Sequence, residues 1–198
     1  MDNNYWIVDD CLIFKPEFND KLDEYYNVIN KYNKIMFSNY NDPLIAIKTN
    51  NEWNREYLNN YIESDFNQKI DLSNNINLTH LTLSGDFNQK IFIPLSVKSL
   101  TMAYCNNQYI IDNLHNNIEE LTIIKTSLNL DNLPNSIKNI YIKYYKKEIN
   151  NLPNSIEYLE LIDNDLKIKK FPKKLKTIKC DEDYTYINDF KDYEVIYH

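Results

Sequence analysis

The sequence predicts a mostly-β solenoid, in which short parallel strands stack into a curved sheet and the return path of each coil is extended or a single helical turn. Three observations lead there. Apolar residues recur in columns at a fixed step: Leu114, Leu133, Leu152, Phe171 and Phe190 are each nineteen residues apart, as are Ile111, Leu130, Ile149, Ile168 and Ile187. The segment Leu133-Pro134-Asn135-Ser136-Ile137 returns nineteen residues later as Leu152-Pro153-Asn154-Ser155-Ile156. A third column, Leu78, Val97, Ile118, Ile137, Ile156 and Leu175, steps by 19, 21, 19, 19 and 19. A step this regular across independent columns marks a repeat whose units bury their apolar edges against one another.

Each unit carries the same local pattern. Ile156 is followed by Leu159, Leu161, Asn164 and Leu166, the LxxLxLxxNxL spacing of a leucine-rich repeat, and Ile118, Leu121, Ile123, Thr126 and Leu128 repeat it. The LxL alternation is a short strand with every second side chain facing inward. The Asn position turns the chain off the strand and offers its side chain to the backbone of neighbouring coils. Cys105, Asp86, Thr126, Tyr145 and Asp183 fill that position elsewhere. Proline in the LP step cannot donate into a helix, and nineteen residues leave no room for a full one, so the convex side is extended or one turn.

At the ends, residues 1–56 are expected to form a small α+β N-terminal cap with one helix. Tyr5 to Phe14 reads as a strand or hairpin arm, and Asp20 opens a helix whose apolar face is Leu22, Tyr26, Ile29 and Met36. Leu44 to Ile47 offers a short strand. Residues 57–198 form the solenoid of about six units of 19–21 residues. Residues 58–65 are a degenerate first coil and Val195 to Tyr197 belong to a partial last one.

Composition narrows function. The chain has 198 residues, net charge −7, three cysteines and a single glycine, Gly85. One glycine excludes phosphate cradles that need several. Turns with positive φ are therefore expected at Asn, the next most tolerant residue. The acidic balance argues against nucleic acid and anionic membranes as partners. Cys11, Cys105 and Cys180 have no CxxC spacing and read as reduced, buried thiols of a cytoplasmic protein. No segment has signal-peptide or membrane-span character.

Asp65-Phe66-Asn67-Gln68-Lys69-Ile70 and Asp86-Phe87-Asn88-Gln89-Lys90-Ile91 resemble one half of the FNIP repeat, and the LPNSI segments resemble the other. FNIP repeats are leucine-rich-repeat relatives expanded in social amoebae and in giant DNA viruses of amoebae. The resemblance covers residues 57 to 198 and implies an intracellular viral or protist protein, the host cell of a giant virus being one such setting. Some relatives place an F-box before the repeats and act as ubiquitin-ligase substrate receptors. Residues 1–56 lack the LPxE-type opening and paired helices of an F-box.

Register places His80, Thr82 and Ser84 on the concave face, with Ser99, Thr101 and Ala103, then Glu120 and Thr122, on the strands that follow. The expected partner-binding residues are Ile124, Asn139, Tyr141, Lys143, Tyr158, Glu160 and Ile162, an aromatic and aliphatic patch with charges at its margin. The protein is expected to be non-enzymatic, without cofactor or metal, and to bind a protein partner as a monomer or weak oligomer. His80 and Ser84 share a strand face but lack an orienting acid and an oxyanion donor. The alternatives are a ubiquitin-ligase substrate receptor and a self-assembling structural protein.

Overall fold

A computed structural model describes residues 4–51, 60–162 and 166–198. Ten strands form one open sheet in strict chain order. β1 (Tyr5–Val8) and β2 (Cys11–Phe14) make an antiparallel hairpin. From β2 onward every neighbour is parallel: β3 (Lys34–Phe37), β4 (His80–Ser84), β5 (Ser99–Ala103), β6 (Glu120–Ile124), β7 (Asn139–Lys143), β8 (Tyr158–Ile162), β9 (Thr177–Cys180) and β10 (Glu194–Tyr197). Helices are short: α1 (Tyr26–Ile29) after a 3-10 turn at Leu22–Tyr25, α2 (Pro43–Asn51) and α3 (Gln108–Asp112).

The inward LxL residues build the core. Leu81 and Leu83, Leu100 and Met102, Leu121 and Ile123, Ile140 and Ile142, and Leu159 and Leu161 are all buried in a single cluster. The expected repeat therefore holds from β4 to β9, and Glu194–Tyr197 add β10 in parallel beside β9. The return path is also as expected: among the described residues after β4 its helical turns are α3, five residues long and within the 21-residue unit, and a 3-10 turn at Ile187–Phe190.

The first sixty residues differ from expectation. The helix expected from Asp20 ends at Ile29; Met36 lies in β3, and Leu44 to Ile47 lie in α2 rather than in a strand. β2 and β3 join the sheet in parallel register with β4, so repeat-like coils begin inside the region read as a cap. The expected coil at 58–65 is replaced by an antiparallel bridge between Tyr40 and Tyr61, while residues 58–59 lie outside the described residues. β3 therefore runs into an insertion containing α2, and its coil resumes at Ser64 and Phe66.

Three ladders run along the stack. Phe18 stacks on Phe66 at 5.5 Å, and Phe66 on Phe37 at 4.0 Å and Phe87 at 5.9 Å, joining the first coils through their aromatic faces. Asn19 Oδ1 accepts from the Asn67 N–H, and Asn67 Oδ1 accepts from the Asn88 N–H, both at 3.0 Å. Phe18-Asn19 is thus a third copy of the FN pair. On the strand-entry side, charges alternate as Lys98, Glu119, Lys138, Glu157 and Lys176, with Nζ–O contacts of 3.2 Å from Lys98 to Glu119, 2.7 Å from Lys138 to Glu119 and 2.6 Å from Lys176 to Glu157. The LPNSI serines stitch coils as well: Ser136 Oγ donates to the Ile118 carbonyl and Ser155 Oγ to that of Ile137.

The strand exits correct the expectation about positive φ. Gly85 (+64°), Tyr104 (+60°), Lys125 (+48°) and Tyr144 (+56°) occupy the left-handed region at the same place in four consecutive coils, and Asp9 (+51°) does so in the β1–β2 turn. No Asn does so among the described residues. Each of the four N–H groups donates to the last carbonyl of the next strand, as Tyr104 does to Ile124, so the ladder imposes the conformation on whatever residue stands there. The Asn position one residue later does turn side chains onto the preceding coil, through other chemistry: Cys105 Sγ donates to the Phe87 carbonyl and Tyr145 Oη to that of Leu128. Asp86 and Asp183 are exposed instead, Tyr184 Oη reaches the Leu166 carbonyl, and Asn164 lies outside the described residues.

Candidate functional site on the concave face

Strand register brings the expected concave residues together as three rows. Lys34, His80, Ser99, Glu120, Asn139, Tyr158 and Thr177 form the first. Thr82, Thr101, Thr122, Tyr141, Glu160 and Lys179 form the second, and Ser84, Ala103, Ile124, Lys143 and Ile162 the third.

These rows are not uniformly open. α2 lies against them, because Ala46 and Thr49 line the same crevice as Thr82, Ser84, Ala103 and Ile124. Asp42 Oδ1 accepts from the Leu44 N–H at 2.8 Å and caps the helix N-terminus. Ala46 is buried in a second apolar cluster with Cys11, Ile13 and Met36, on the face of β2 and β3 opposite the main core. Sequence reasoning missed this cover. α2 is weakly amphipathic and interrupts the repeat, so only a helix cap at Asp42-Pro43 marked it.

Beyond α2 the predicted patch divides. Tyr141 and Tyr158 are half-buried neighbours with ring centroids 5.6 Å apart, and Asn139 stands beside them. Tyr158 Oη donates to Glu160 at 2.9 Å, and Tyr141 Oη lies 3.4 Å from Glu120. Burial pushes the Tyr141 phenol up to about 12, with the Glu120 charge adding to it. Burial raises Tyr158 further, helped by its hydrogen bond to Glu160. Ile124, Ile162 and Glu160 are almost fully buried.

Lys143 is the anomaly. It has 0% exposure between Ile124 and Ile162, and its Nζ makes no hydrogen bond among the described residues. Burial holds the amine below its ordinary range, while Glu160 on the next strand pulls the other way.

A cavity of about 320 Å³ opens where the β1–β2 hairpin and α2 meet the sheet. Its floor is the hydroxyl row Thr82, Thr101 and Thr122 with Ser99 and Glu120, and His80 stands beside Lys34. Burial, then Lys34, holds the His80 imidazole below its usual value. His80 and Ser84 sit at opposite ends of β4, about 13 Å apart at strand spacing, so they are no base–nucleophile pair. Among the described residues, no group of three or more His, Cys, Asp or Glu is placed to hold a metal ion, and no helix is long and apolar enough to cross a membrane. All three cysteines are buried thiols.

The model of the FNIP Repeat matches residues 127–164, which span β7, β8 and the LPNSI turns before them. Among solved structures, the chain is similar to CroV588, a giant-virus protein described as a novel circular LRR protein, with a TM-score of 0.57 and 18% identity. That likeness covers 92% of this chain and 29% of the other, so the chain spans less than a third of that protein's length. No curated protein matches. The chain has a leucine-rich-repeat fold, and residues 127–164 within it are similar to the FNIP repeat.

Proposed function

We propose that this FNIP-type leucine-rich-repeat chain is a non-enzymatic protein-interaction module that works inside a cell. Its partner binds the concave face beyond α2, on Tyr141, Tyr158 and Asn139, while Glu160, Ile124, Lys143 and Ile162 are buried and support that surface from within. The observation that carries this reading is the tyrosine pair. Two aromatic rings stand half-exposed on a rigid sheet, their hydroxyls oriented by Glu120 and Glu160. Rigid aromatic groups with a polar tip are the side chains that dominate interface energetics. Three buried, unpaired thiols are in keeping with a reducing compartment.

The test uses the purified chain as bait in lysate of its native cell, beside a Tyr141→Ala, Tyr158→Ala double variant. A specific partner should be captured by the first and lost by the second, with the melting temperature shifted by no more than about 4 °C. Capture that survives in the folded double variant, or falls only in step with stability, overturns the reading.

A further inference from the structure

We propose that the cavity between the β1–β2 hairpin, α2 and the strands β4–β6 is a socket for a protonated alkyl amine, the basic side chain of a bound protein partner. This deepens the interaction reading by naming the chemistry the partner presents, and it rests on separate observations.

The first is charge. Asp9, Asp10 and Glu120 line the cavity with Lys34 as the one lysine or arginine. Lys34 is matched by Asp10, at 3.0 Å. Glu120 lies three strands from Lys34 in the same row, about 14 Å at the sheet spacing. The Glu120 carboxylate accepts from the Ser99 hydroxyl at 2.8 Å and faces the Tyr141 hydroxyl at 3.4 Å, and it forms no ion pair among the described residues. Hydroxyls orient a carboxylate without neutralising it. His80 adds no steady counter-charge, since burial favours its neutral form.

The second is the acceptor geometry. Thr101 and Thr122 are directly opposed on adjacent strands, beside Glu120, and both are largely buried residues that line the cavity. An ammonium carries three donors and no acceptor, so a carboxylate flanked by hydroxyl oxygens matches it. A carboxylate or phosphate ligand would meet Glu120 at like charge.

The third is shape. About 320 Å³ lies at the small end of the range of roughly 300–1,000 Å³ that small-ligand sites occupy. That volume suits one extended side chain rather than a secondary-structure element. Val8, Met36 and Ile47 supply an apolar wall along which an alkyl stem can lie.

The test is titration of the full chain, followed by NMR chemical shifts. The probes are N-acetyl-lysine methylamide, its uncharged norleucine analogue, cadaverine and acetate. The lysine probe should bind saturably, with the norleucine analogue about tenfold weaker or worse. Glu120→Gln should weaken the lysine probe by a similar factor, and Thr122→Val by several-fold, each without loss of the native spectrum. Shifts should map to His80, Thr101 and Thr122. Equal binding of lysine and norleucine probes, binding unchanged in both variants, no binding, or preferential binding of acetate overturns the socket. Cadaverine tenfold tighter than the lysine probe overturns its assignment to a partner's side chain. None of these probes depends on Tyr141 or Tyr158 capturing a partner, so failure here and failure of the interaction reading are distinguishable.

Discussion

The concave sheet has a covered half and an open half, built by the same repeat. Under α2 the third row is Ser84 and Ala103, with Ile124 at the edge of the same crevice; beyond it the row becomes Lys143 and Ile162. The inward leucine columns do not change across that boundary. Side chains of this row are thus small where the α2 backbone comes close and large farther along, and both stretches are buried. The covered half is already a binding site, and its ligand is part of the chain.

The comparison can be broken hardest at Gly85, where the insertion returns to the solenoid. A Cβ there would stand 2.5 Å from the Ser64 carbonyl oxygen, at a φ of +64°. Gly85→Ala should cost about 2–4 kcal/mol in chemical denaturation, from left-handed strain plus a backbone collision. A cost below about 1 kcal/mol would mean that the covered half yields easily.

Lys143 sharpens the comparison from the other half. An unpaired amine at full burial is destabilising, and a methionine of similar length removes its desolvation penalty. Lys143→Met should stabilise by about 1–3 kcal/mol. The pH dependence follows from the lowered amine value. The unfolded chain binds this proton up to the ordinary 10.5, whereas the folded chain releases it earlier. Stability linked to this group therefore rises with pH between those two values, and the gap between wild type and Lys143→Met should narrow as pH climbs. A gap that widens would show that Glu160 holds the amine charged.

The smallest effect is expected at Lys125, which shares the backbone position of Gly85 but has open space. Lys125→Gly relieves a φ of +48° and gives up a cation–π contact with Tyr104 at 5.1 Å. The two offset, so the net change should stay within about 0.5 kcal/mol. The contrast with Gly85→Ala separates the cost of the helical insertion from the cost of the turn.

Much of this was legible in the sequence, for a physical reason. A solenoid coil contacts only its neighbours, so the columns from Leu78 to Leu175 report the stacking step directly, and the rows of concave residues follow from register. The first coils were hidden because their spacing is irregular. Lys34 pairs with Cys11 twenty-three residues back and with His80 forty-six residues on. The insertion removed the period, and with it the clue that Phe18-Asn19 repeats Phe66-Asn67. At the site, Tyr141 and Tyr158 were found because pleat alternation puts them outward. That Ile124 and Lys143 would be shut away was not legible, since burial on that face depends on curvature and on α2 rather than on the local pattern. Positive φ at Tyr104 and Tyr144 was equally hidden, because a ladder bond outranked residue preference.

The alternating row Lys98, Glu119, Lys138, Glu157 and Lys176 has a consequence for how such a chain can grow. Each pair is solvent-exposed and worth only about 0–1 kcal/mol. Remove one nineteen-residue coil, however, and Lys98 meets Lys138; remove two and the signs alternate again. Along this row, the order of charges is therefore tied to the number of coils between them.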